Sequence, residues 1–121
     1  MGLPSPPLGW QTPHAVRLAA VLVLAACSQA GTDSARGEDI FAHNCAACHG
    51  AQGKPDAAMV ARLGVRDLTA PEFRKRVTVK LVSDQVHNGS QNKLMPSFDG
   101  ALKEFQIQAV AEYVASPQFG K

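Results

Sequence analysis

Ile107, Val110, Ala111 and Val114 fall at i, i+3, i+4 and i+7. That spacing puts one apolar stripe on a helix, so the end of the chain predicts an amphipathic helix, closed by Pro117. Upstream, Val77, Val79 and Leu81 alternate with polar residues as a strand would. No second run of that kind exists to pair with it, and a lone strand has little stability. The segment is therefore predicted as helix, centred on residues 80–87 and ended by Asn88-Gly89. Thr69-Ala-Pro-Glu72 has the form of a capping box and predicts a further helix start. Residues 56–63 form a short predicted helix, opened by Pro55 and stopped by Gly64. A first helix is expected from an N-cap at Asp33 or Ser34 towards Cys48, with Gly37, Ile40, Phe41 and Ala42 supplying its small and apolar positions. Loops are expected at residues 50–55 and 90–100, the second containing Met95-Pro96. The predicted fold class is all-α.

A different pattern occupies the start of the chain. Residues 18–26 are an unbroken apolar run, preceded by Arg17 and ended by Leu24-Ala25-Ala26-Cys27. Spanning a bilayer takes about 20 apolar residues, so the run is too short for that and is expected to be a signal-peptide core. Leu-Ala-Ala-Cys resembles the lipobox of bacterial lipoproteins, which makes Cys27 the expected lipidation site. Ordinary secretory cleavage beside the Ala pair is the alternative. Residues 1–13 are Pro-rich without positive charge, an awkward beginning for a signal peptide; translation from a non-Met codon near Val16 would account for it. Residues 28–35 are small and polar, a tether with an r.m.s. span of about 15 Å. The expected organisation is thus 1–26 signal peptide, 27–35 lipidated Cys and tether, and 36–121 one helical domain.

Composition changes this picture little. The chain of 121 residues carries 12 Lys and Arg against 10 Asp and Glu, and loss of residues 1–26 removes only Arg17 from that balance. A nearly neutral domain gives no reason to expect nucleic acid. A domain this small buries little apolar surface by itself, so a bound group is expected to complete its core.

The candidate chemistry lies at residues 45–49, Cys-Ala-Ala-Cys-His. Cys-x-x-Cys-His is the signature of covalent c-type haem attachment. On a helical turn Cys45 and Cys48 project to one side, where two thioether bonds to a porphyrin edge can form, and His49 follows as an axial ligand to the iron. A zinc site would need further ligands, and the only other cysteine is Cys27. A thioredoxin-like pair would need a βαβ setting. The three cysteines divide between lipid and haem, leaving no disulfide. For the opposite face of the iron the candidates are Met95, Met59, His87, His43 and Lys93. Met95 is preferred because it stands in a loop ahead of a proline that stiffens the backbone. Met59 fits helix packing as core filler, His43 lies too near the attachment turn, and His87 and Lys93 fit solvated positions. Leu94, Phe98, Val60 and Leu63 are candidates to line the haem crevice. Arg74, Lys75, Arg76 and Lys80 form a basic cluster suited to a solvated helix face, to membrane headgroups or to an acidic partner.

Gly37-x-x-x-Phe41-x-x-x-Cys45-Ala-Ala-Cys-His49, Met95-Pro-Ser-Phe98 and Val110-Ala-Glu-Tyr-Val114 together resemble the small single-haem class I cytochromes c of bacteria, in the style of the c6 and c553 groups. The resemblance covers nearly all of residues 36–121 and implies helices wrapped around one covalent haem c. It implies that Gly37 permits close approach of the last helix, with Phe41 near Val110 and Tyr113. It also implies that the second nitrogen of His49 meets a backbone carbonyl, for which Pro55 is the candidate. The function implied is one-electron transfer with no catalytic residue, since His49 and Met95 would fill both axial positions and leave no open iron. Redox proteins, either membrane respiratory complexes or other cytochromes, are the expected partners of a monomer on the periplasmic side of a bacterial membrane. The alternatives are the haem subunit of a larger oxidoreductase, or a haem enzyme or gas sensor if Met95 does not hold.

Overall fold

The structure, a computed structural model, describes Gly2 and residues 36–121. The apolar run at 18–26, Cys27, the tether and the N-cap expected at Asp33 or Ser34 lie outside the described residues. Among the described residues six helices follow in order: α1 Gly37–Asn44, α2 Ala46–His49, α3 Ala57–Leu63, α4 Pro71–Arg74, α5 Val79–Asn88 and α6 Glu104–Ala115. There is no strand among the described residues, only an isolated bridge between Asp99 and Leu102.

Local signals explain several helix ends. The Asp56 carboxylate accepts from the Met59 amide at 2.8 Å and caps α3, which Gly64 closes at φ 63°. Thr78 caps α5 in the same way, accepting from the Leu81 amide at 3.1 Å. Of the residues that alternated like a strand, Val77 precedes α5 and Leu81 stays exposed; from Val79 on the chain is helical and buries Val82 and Val86 instead, the pair that meets α6. Ser116 is extended ahead of Pro117, which ends α6.

Two local expectations are corrected. The first helix does not run unbroken to Cys48, because Cys45 departs to φ −119° and separates α1 from α2. The capping box at Thr69 does not form either. The Thr69 hydroxyl and amide both donate to Asp67 Oδ1, at 2.6 and 2.8 Å, so α4 begins instead at Pro71 after Ala70. Asp67 wins because its carboxylate lies two residues away, within reach of a local turn.

The core is built on α6. Ile107, Val110, Ala111 and Val114 are buried against Ile40 and Phe41 of α1 and Val82 and Val86 of α5. At the α1–α6 crossing a methyl group on Gly37 would lie 2.1 Å from the Ala109 carbonyl oxygen and 2.7 Å from Tyr113 Cβ. Only glycine lets the two backbones come that close. Phe41, Tyr113 and Phe119 pack around one another with ring centroids 5.2–5.9 Å apart.

Arg74 leaves the expected basic cluster to join this packing. Its guanidinium donates to the carbonyls of Val114 and Ser116, each at 2.7 Å, and stands 5.4 Å from the Phe119 ring centroid. A cation there satisfies carbonyls that the end of α6 leaves without helical partners. Lys80 is also engaged, with Asp84 at 2.6 Å; Lys75 and Arg76 remain exposed.

Gly37→Ala should therefore destabilise the haem-loaded protein by about 3 kcal/mol in urea unfolding, since a backbone carbonyl cannot yield as a side chain could. A loss below about 0.5 kcal/mol would mean that the helices separate without cost.

Candidate functional site

The site begins where α1 ends. The Cys45 amide still donates to the Phe41 carbonyl at 2.9 Å, so the break leaves the chain tied to α1. The Cys45 carbonyl then accepts from the amides of Cys48 and His49, at 3.1 and 2.9 Å. This single turn carries both thiols and the imidazole. Cys45 packs against the core, whereas Cys48 is exposed. Burial, with Cys48 beside it, pushes the Cys45 thiol up to about 11. That is opposite to the lowered thiol of a thioredoxin-type pair.

After His49 the chain turns back through residues 50–53, and the Leu68 amide donates to the Gly53 carbonyl at 2.8 Å. This pairing brings the Arg66 carbonyl 3.3 Å from His49 Nδ1. The hydrogen bond expected at Pro55 thus goes to Arg66. Pro55 is buried just ahead of α3, and the strand of chain returning beside His49 is the later one. With Nδ1–H donating to a carbonyl, Nε2 presents its lone pair. Burial lowers the tendency of His49 to protonate, more than the Arg66 carbonyl raises it.

The second half of the site is the loop after α5. Met95 is half-buried and packs against the core, as does Phe98. Leu94 is half exposed and outside it. The Phe98 amide donates to the Val86 carbonyl at 2.9 Å, which returns the loop to α5. Cys45 and Met95 therefore border one core from two different connections.

The other candidates are placed elsewhere. His43 Nδ1 lies 2.7 Å from the Asp39 carbonyl within α1. His87 sits between Asp99 and Glu104, with Nε2 3.1 Å from a Glu104 oxygen. Lys93 is exposed. Met59, expected as core filler, belongs neither to the core nor to the side chains packed on it; α3 buries no residue at all, and Val60 is about half exposed. Arg66 was invisible as a participant because it acts through its carbonyl, which no side-chain pattern marks.

This donor set fits a haem. Two unpaired thiols stand on one turn, an imidazole is oriented by its other nitrogen, and a thioether stands in a fastened loop. Apolar side chains at Val60 and Leu94 also remain outside the protein's own core.

Residues 32–114 match the family described as cytochrome C oxidase, cbb3-type, subunit III. The chain is similar to cytochrome c6 of Leptolyngbya boryana, with 42% identity over 82 residues, covering 68% of this chain and 89% of that protein. It is also similar to the cbb3-type cytochrome c oxidase subunit FixP of Bradyrhizobium diazoefficiens. There the identity is 35% over 96 residues, and the match spans 75% of this chain but only 30% of the FixP length. The fold is that of the KustC0563 c-type cytochrome, with a TM-score of 0.59 at 22% identity, covering 66% of this chain and 94% of that one. Site geometry, family match and relatives agree: this chain belongs to the c-type cytochromes, in the family of cbb3-type cytochrome c oxidase subunit III, and its cofactor is a covalently bound haem c.

Proposed function

We propose that the protein is a one-electron carrier in which Cys45 and Cys48 bind haem c through thioether bonds and His49 and Met95 are the axial ligands. The observation that carries this reading is the His49 imidazole, held by the Arg66 carbonyl on Nδ1 so that Nε2 is the ligating nitrogen. Haem c, when bound, supplies an iron that takes up and returns one electron.

The chain's own residues do the rest. Cys45 and Cys48 fix the ring to the end of α1. Arg66 stops the His49 imidazole from rotating and raises its basicity as a ligand. Met95 supplies a soft thioether that raises the potential relative to a second histidine. With His49 and Met95 both holding the iron, oxygen or peroxide would find no open position, so the reading is of a carrier and not an enzyme. The half-buried core side chains Met95 and Phe98 exclude water from that face.

The proposed setting is a respiratory chain on the periplasmic side of a bacterial membrane, with Cys27 lipidated and residues 28–35 as tether, and redox proteins as partners of a monomer. The lipobox resemblance of Leu24-Ala-Ala-Cys27 supports the anchor. A second reading, the haem subunit of a larger oxidoreductase, is favoured by the match to FixP, whose name is that of an oxidase subunit. A stable stoichiometric partner on purification from solubilised membranes would select it over a free carrier.

Met95→Ala should lower the reduction potential and raise the affinity of the reduced protein for carbon monoxide about tenfold or more, because the thioether no longer competes. Unchanged potential and affinity would remove Met95 from the iron. Cys27→Ser should shift the protein from the membrane pellet to the soluble fraction, measured by haem absorbance after fractionation. Retention in the pellet would eliminate the lipid anchor.

A further inference from the structure

The Met95 loop is closed on itself. The Ser90 amide donates to the Met95 carbonyl at 2.9 Å, and the Met95 amide donates to the Ser90 hydroxyl oxygen, also at 2.9 Å. Both main-chain polar groups of Met95 therefore end on one residue. The Ser90 hydroxyl in turn donates to Asn92 Oδ1 at 2.7 Å, and that oxygen also accepts from the Leu94 amide at 3.1 Å. The Ser90 carbonyl accepts from the Lys93 amide at 3.0 Å, across a turn in which Lys93 takes the left-handed φ of 63°.

The clamp stands on the end of α5. Gly89 has φ 69°, and a methyl group there would lie 2.6 Å from the Met95 carbonyl oxygen and 2.7 Å from the Ser97 nitrogen. Its absence lets the loop fold back against the helix terminus. Beyond Met95, Pro96 restricts the backbone, and the Ser97 hydroxyl donates to the His87 carbonyl. The bonds at Asn92, Lys93 and Ser97 hold other residues of the loop, whereas Ser90 holds Met95 directly.

We propose that Ser90 is a positioning residue, whose hydroxyl and amide clamp the main chain of Met95 and hold its thioether where an iron ligand is needed. This rests on the reading of Met95 as the second axial ligand. Loss of the hydroxyl leaves the Met95 amide without its acceptor in a half-buried place. One hydrogen bond of this kind has a modest net worth, so the fraction of molecules with the thioether released should rise about fivefold and not without limit.

The test is a titration of the oxidised, haem-loaded full chain with imidazole, followed by absorbance. Imidazole binds only where the thioether has let go, so its apparent affinity reports the released fraction. Ser90→Ala should bind about fivefold more tightly than the parent, Ser90→Thr should return to the parent value, and Asn92→Ala should fall between. Met95→Ala should bind most tightly of all. Parent-like affinity in Ser90→Ala beside tight binding in Met95→Ala overturns the role of Ser90 and leaves the axial reading intact. Failure of Ser90→Thr to restore the parent value overturns it as well, because the hydroxyl is then not what matters. Parent-like affinity in Met95→Ala overturns both readings. Should Ser90→Ala not fold, Asn92→Ala decides by itself, with raised affinity in support and parent affinity against.

Discussion

At the crossing of α1 and α6 the two backbones meet over Gly37 so closely that a methyl group would lie 2.1 Å from the Ala109 carbonyl oxygen. Both halves of the site depend on this contact. The attachment turn is the direct continuation of α1, tied to it by the Cys45 amide. The Met95 loop is the continuation of α5, which packs on another part of α6. A change in the α1–α6 distance would therefore move His49 relative to Met95 without touching either. Arg74 holds the same helix at its C-terminal end, where it ties α4 to the last carbonyls of α6.

Apolar packing sets the positions of the helices, but it leaves the aim of the two proposed ligands undetermined. That aim is set by main-chain hydrogen bonds in loops. The Arg66 carbonyl meets His49 Nδ1, and the Ser90 hydroxyl and amide hold the main chain of Met95. Carbonyls and amides suit the task because they have little conformational freedom of their own, whereas an exposed ion pair is weakened by solvent and side-chain entropy. The pairs at Arg36, Lys80 and His87 all involve exposed carboxylates, and they contribute little by comparison.

How much of this was legible in the sequence follows from the same division. The helical periodicity of Ile107 to Val114 and the stops at Gly64 and Pro117 act over a few residues, so they could be read directly, whereas the opening of α3 expected from Pro55 is made by the Asp56 cap. The Cys45 to His49 turn was equally plain, being contiguous. Pro55 was the wrong acceptor because the choice between it and Arg66 is made by the pairing of Leu68 with Gly53, a contact between segments that composition does not encode. Arg74 looked like one charge among four. Its partners, the carbonyls of Val114 and Ser116, lie about 40 residues away and appear only once α4 meets the end of α6. Thr69 matched a capping box, but a nearer carboxylate at Asp67 took its hydrogen bonds.

The two proposed ligands differ in how firmly they are held, and this bears on the choice between a carrier and a ligand-binding haem protein. His49 stands on a helical turn tied to α1, which buries Ile40 and Phe41 in the core. Met95 stands in a loop whose flanking residues Leu94 and Pro96 are exposed and whose closure relies on Ser90, Asn92 and Gly89. Opening of a surface loop of that kind needs far less free energy than separating α1 from α6. On the proposed reading, any exchange of ligands therefore begins at Met95, with His49 still in place. The same chain would then move from electron transfer towards binding small molecules through one local event, and the strength of a few loop hydrogen bonds would set how often that happens.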